Sequence, residues 1–370
     1  MDKIFYEILQ KLADNKDKFE IGAKMQANVF NGVENPKVPL LLNCRLDEND
    51  KIPWFNSKEI HYDSEKMFLS QLRSTMSVIY GGCESVPSLR SNMGCGIFPT
   101  LFGLKQLIFE DKMPWIADHL DKETIAKMSV DDLKIGDEFK MALDHMDYIR
   151  EKLKDTGCRV FPLDLQGAFD TAHLVYGDQI FYDLYDDPDF VHHLLELSNE
   201  AIFLGMDEVM KRIPTDDCIA HYNELVMPKT KGGIKISEDT STLLSKDQLQ
   251  EFVTPYTSKT LEHFGGGYIH YCGKNPHLFE EVMNMKNAYG LNFGNPDMHD
   301  MEVVIKRCVK ENKVFYGSIN RKNDETIEQY FEKYHKASLD SSGKSQLLLS
   351  FGCGKNERDE IADLWNKVTS

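Results

Sequence analysis

The chain has 370 residues, 41% of them hydrophobic and 28% charged, and 43 Lys and Arg against 60 Asp and Glu give a formal charge of −17. That length is ample for a large buried core, and the composition is that of a globular protein. The acidity argues against nucleic-acid or anionic-lipid partners, whose phosphates select basic faces.

In chain order, the opening MDKIFYEILQKLADNKDKFE reads as an amphipathic helix with charges throughout. It lacks the unbroken apolar core of a signal peptide, and no later run approaches the roughly 18 apolar residues of a membrane helix. A cytoplasmic location is therefore expected. Residues 38–43 and 77–80 read as short strands, with a polar, proline-dotted loop at 45–58 between them. A loop rich in Gly, Ser, Pro and Cys follows at 81–103, then an inserted helical section at about 105–154. A strand is expected at 158–163, with Asp164 and Gln166 just beyond it. The clearest helix covers about 188–212, where Phe190, Leu194, Leu197, Ala201 and Leu204 recur at steps of three and four.

Next comes a strand at 218–222, ending near His221, Asn223 and Glu224. The pattern then alternates: helix 246–264, strands 267–271 and 289–293, helix 299–311, strand 313–317, helix 326–336, strand 346–350 and helix 356–368. The strands are short and apolar on both sides, as in a parallel sheet covered by helices. Eight such units over this length predict a (β/α)8 TIM barrel of α/β class, a single domain over 1–370 with long N-terminal loops and a helical insertion. An open doubly wound sheet is the second choice. It would want a glycine-rich loop after a strand, whereas Gly265-Gly266-Gly267 precedes one and reads as a helix stop.

The chemistry concentrates at strand ends. In Gly267-Tyr-Ile-His270-Tyr-Cys272-Gly273, His270 and Cys272 are two apart and so share one face, while Tyr271 faces the helical layer. His and Cys are preferred zinc ligands. Cys353 lies in a similar setting, in Ser350-Phe-Gly352-Cys353-Gly354, far along the chain. Three ligands from two separate strand ends would leave a position open for water or substrate. The plain alternative is that these are ordinary buried strand residues. Asp164, Gln166, His221, Asn223 and Glu224, as post-strand positions, are candidates for substrate contact, or else loop hydrogen-bonding groups. Cys83 and Cys95 read as loop thiols or a second metal or redox pair. Cys44, Cys158, Cys218 and Cys308 read as small buried apolar residues.

At these residues the chain resembles the uroporphyrinogen decarboxylase-like superfamily, in its branch of corrinoid-dependent, coenzyme M-type methyltransferases. The resemblance covers much of the C-terminal half. It rests on Ser237-Glu238-Asp239, Leu244-Ser245-Lys246, Phe252-Val-Thr-Pro255-Tyr256, Ile269 to Gly273, Phe315 to Asn320 and Leu348 to Gly354, with Asp187 to Val191 upstream. It implies a barrel whose C-terminal mouth holds zinc on His270, Cys272 and Cys353. It also implies Glu238 or Asp239 near the metal, as a catalytic proton acceptor, a fourth ligand or a partner to a ligand, where the plain alternative is a solvated acidic turn, and Asn320 at the substrate. Zinc would activate a thiol for attack on a methyl group carried by a methylcorrinoid on a partner protein, or the reverse transfer from a methylated substrate. A homodimer is compatible with it.

Two other functions stay open. The decarboxylase of the same superfamily needs an arginine-rich N-terminal loop, whereas residues 38–45 carry only Arg45. A non-catalytic barrel that binds a corrinoid or another ligand is the third reading.

Overall fold

A computed structural model describes residues 3–46, 53–213 and 217–370. Its main sheet has six parallel strands: β1 (Leu40–Cys44), β2 (Ile234–Ser237), β3 (Gly267–Tyr271), β4 (Ala288–Phe293), β5 (Val314–Gly317) and β6 (Leu347–Cys353). Their spatial order is β1-β6-β5-β4-β3-β2. The α/β class and the parallel sheet agree with the sequence pattern. Between β2 and β1 the hydrogen bonding continues in shorter pieces. Ser237 N donates to Leu165 O (3.0 Å) and Gly167 N to Ser237 O (2.7 Å). Ser88–Leu89 pairs in parallel with Arg159–Val160, and Glu84 N donates to Leu40 O (3.4 Å).

Alternation along the strands separates two faces. Leu40, Leu42 and Cys44, Ile234 and Ile236, Ile269 and Tyr271, Leu347, Leu349 and Cys353 join the large core cluster beneath the helices. Leu41, Tyr268, Val314, Tyr316 and Leu348 face the other way and pack with Val29 and Phe30 of the Lys16–Asn31 helix. The helices begin where the sequence caps them. Asp187 accepts from Phe190 N (3.2 Å) ahead of the Pro188–Met210 helix, and Ser245 and Thr326 form capping boxes with Gln248 and Gln329.

Three sequence expectations need correction. Residues 77–80 are not a strand; they end the Ser64–Gly81 helix. Its buried Phe68, Leu72, Thr75 and Ile79 follow helical spacing, so amphipathic period outweighs the β preference of Val78 and Ile79. Residues 218–222 do not join the parallel sheet. Cys218–Ala220 forms an antiparallel hairpin with Val226–Pro228. Its turn meets the sheet's inner face, where Glu224 accepts from Asn43 (2.6 Å), Ser350 (2.7 Å) and Tyr316 (3.1 Å). The 105–154 section is only partly helical. A two-residue hairpin, Gln106–Leu107 with Trp115–Ile116, precedes helices Lys122–Lys127 and Asp137–Lys152. Cys44, Cys158, Cys218 and Cys308 are buried, as expected. Among the described residues no helix is long and apolar enough to cross a membrane.

Candidate metal centre

Strand β3 carries His270 on its inner face, one residue before its end, and Cys272 follows two residues on. Gly273 has φ +86°, which lets the chain turn away directly after the sulfur. Ser237, the last residue of β2, is paired with His270, and the chain then carries Asp239 up beside the same point. One ligand atom each from Asp239, His270 and Cys272 lies within 4.8 Å of the others. Cys272 Sγ is 3.7 Å from His270 Nε2. Two ligands on one tetrahedral zinc, with bonds of about 2.0–2.3 Å, stand roughly 3.6 Å apart, so the spacing fits such an ion. Cys272 N donates to Asp239 Oδ1 at 2.5 Å, which fixes that carboxylate against the strand end.

The imidazole is oriented by a residue that the sequence reading passed over. Asn292 on β4, paired in register with His270, donates through Nδ2 to Tyr316 O at 2.6 Å. Its Oδ1 therefore faces His270 Nδ1 at 2.6 Å and accepts from it. That bond puts the ring hydrogen on Nδ1 and leaves the Nε2 lone pair for a metal. Burial, then Lys235, holds the His270 imidazole below its usual range, so it is neutral and able to ligate. Burial, then the Asp239 carboxylate, pushes the Cys272 thiol up to about 11. The thiol keeps its proton unless a cation displaces it.

The centre opens into a pocket of about 390 Å³, lined among others by Arg90, Trp115, Asp164, His173, Tyr222 and Lys235. Asp164 Oδ1 takes both Lys235 Nζ (3.1 Å) and Arg90 (3.3 Å). Burial alone would raise this carboxyl, but the two cations hold it well below its usual range. Lys235 Nζ also donates to Ser237 Oγ at 2.6 Å.

The structure sorts the sequence candidates. Asp239, His270 and Cys272 come together, and Asp164 lines the adjoining pocket. Cys353 does not join them. Ser350 is on the inner face, so alternation sends Cys353 outward, where its sulfur lies 3.7 Å from that of Cys44, its register partner on β1. Glu238 also faces away. It is fully buried and accepts from Thr257 (2.6 Å) and Ser241 (2.7 Å). Its carboxylate fills the space where a Cβ on Gly167 would lie 2.1 Å away, so only glycine suits that position. Ser241 also donates through N to Asp170 at 3.2 Å. Burial pushes Glu238 up to about 7, and burial with Glu238 nearby holds Asp170 well above its usual range.

His221 is buried beside Tyr268, with Nε2 donating to Gly232 O (3.0 Å). Asn223 sits in the hairpin turn and accepts through its backbone from Ser88 (2.9 Å). Neither lines the pocket; their neighbour Tyr222 does. Asn320 donates to Asp297 and lines a separate crevice with His299 and Arg321. Cys95 lines the pocket beside the centre, and burial first of all pushes its thiol up to about 11.

Neither the known protein-family models nor the curated proteins give a match to this chain.

Proposed function

We propose that this chain is a methyltransferase in which Asp239, His270 and Cys272 hold zinc and activate a thiol for methyl transfer to or from a corrinoid carried by a separate protein. The observation that carries the proposal is the convergence of three zinc-type ligand atoms within 4.8 Å at the ends of two neighbouring strands, beside an open pocket. Three protein ligands leave a place for a substrate sulfur. When bound, zinc supplies Lewis-acid withdrawal that lets a thiol lose its proton at neutral pH. The chain's part is to bind and aim. Asn292 fixes the His270 ring, the Cys272 amide fixes Asp239, and the pocket wall holds the rest of the acceptor. The resemblance of residues 237–273 to corrinoid-dependent methyltransferases supports this choice among zinc chemistries.

The architecture belongs to the same proposal. The bridges from β2 through 165–167 and 159–160 to 88–89, and from 84 to Leu40, support a closed ring of eight strands. The centre then sits at its C-terminal mouth, where such barrels place their active sites. A metal-free decarboxylase is the second reading. It draws on Arg90 and Lys235, cations that a substrate carboxylate requires.

Elemental analysis of protein purified without chelator tests the proposal, followed by methyl transfer from methylcobalamin to added thiols. About one zinc per chain, lost on Cys272→Ser, together with thioether formation, supports it. A folded protein that stays metal-free in excess zinc refutes it and favours the decarboxylase.

A further inference from the structure

We infer that His173 accepts the proton that a thiol must lose on entering the metal centre; this rests on the thiol chemistry proposed above. His173 lies on the Ala168–Tyr176 helix and lines the same pocket as Asp239 and His270. Its Nε2 is 2.9 Å from Asp178 Oδ1. An ionised carboxylate only accepts, so Nε2 carries the ring hydrogen and the neutral imidazole keeps its lone pair on Nδ1. Nδ1 lies 3.5 Å from the hydroxyl of Thr240, the residue next to Asp239. The basic nitrogen is therefore directed at the loop that carries a metal ligand.

The ring is held for this task. Phe181 packs against it, with centroids 5.4 Å apart. Asp178 stands ready to stabilise an imidazolium, as an orienting carboxylate does for a general base. The other charges facing the pocket are Asp170 one turn back on the same helix, Asp239 on the loop, and Arg90 and Lys235 with Asp164 across the cavity. The step balances simply. The S–H bond breaks, its electron pair stays on sulfur, and the proton goes to Nδ1 directly or through one water. No oxidant or reductant is needed. A contact that only capped the helix would not require the imidazole to line the pocket.

Cobalt(II)-substituted protein titrated with 2-mercaptoethanol tests this, because a thiolate on cobalt gives a charge-transfer absorption. Calorimetry in buffers of different ionisation heat counts the protons released on binding. Wild type should retain most of the thiol proton near neutral pH. His173→Gln should still bind cobalt and stay folded, release about one more proton per thiol, and need a pH about one unit higher for half-formation of the band. Asp178→Asn should fall between them. An unchanged proton count and midpoint in His173→Gln, with the band intact, would overturn the role of His173 alone. A wild type that binds cobalt but gives no thiolate band overturns the thiol reading and this inference together.

Discussion

Asn292→Ala isolates the support of the metal centre from its ligands. The substitution removes two hydrogen bonds of 2.6 Å, one from His270 Nδ1–H and one to Tyr316 O. A buried polar group left without a partner costs about 1–3 kcal/mol, so the two together should lower folding stability by roughly 2–6 kcal/mol. The freed ring can also rotate away from the geometry that aims Nε2 at Cys272 Sγ. Losing an outer partner of a metal-ligating histidine weakens affinity about 10–100-fold, or roughly 1.4–2.7 kcal/mol. Zinc competition against a chromophoric chelator reads the second effect, and thermal unfolding of the metal-free protein reads the first. Asn292→Asp serves as control. It can still accept from Nδ1–H but cannot donate to Tyr316 O, so it should retain zinc affinity while losing stability. If Asn292→Ala loses stability but binds zinc within about twofold of wild type, the orientation argument is wrong and Asn292 only bridges strands.

Three further outcomes follow from the geometry. Cys353→Ser should take up as much zinc as wild type, because that sulfur packs on Cys44 away from His270; a lower metal content in this variant, measured by elemental analysis, would contradict the assignment. Glu238→Gln should be more stable than wild type above pH 7. The folded carboxyl is raised from 4.5 to about 7 by burial, so wild type has its full share of stability below about pH 4.5 and loses it as the pH climbs through 7. Unfolding temperatures from pH 5 to 8 should thus fall more steeply for wild type than for the variant. Glu224→Ala strips the acceptor from Asn43, Ser350 and Tyr316 and should cost at least about 3 kcal/mol in denaturant unfolding, with Glu224→Gln recovering only part of it.

The C-terminal half was largely readable because its strands are uniform apolar runs set between well-capped helices. The 267–271 strand matches its expected limits, and Tyr271 faces the helices as alternation requires. The N-terminal half was harder. Residues 77–80 look like a strand when read alone, and only the period running back to Met67 reveals a helix. The Ile234–Ser237 strand was missed because Lys235 and Ser237 break the apolar run, although both are inner-face residues beside the pocket. In the centre, His270 and Cys272 announced themselves by residue type and spacing of two. Asn292 did not, since a single Asn in Tyr-Gly-Leu-Asn-Phe carries no signal until register sets it beside His270. Cys353 misled because the Gly-Cys-Gly setting suggests a loop, whereas β6 continues through the cysteine and parity decides its direction.

The turn of the 218–228 hairpin has a consequence for how such a site can change. Tyr222 lines the pocket, and Glu224 two residues on is anchored to three strands of the sheet. One part of the cavity wall is thereby set by a loop and not by the strands that carry the ligands. A few residues added to or removed from that turn would move this part of the wall, while His270 and Cys272 stayed where they are.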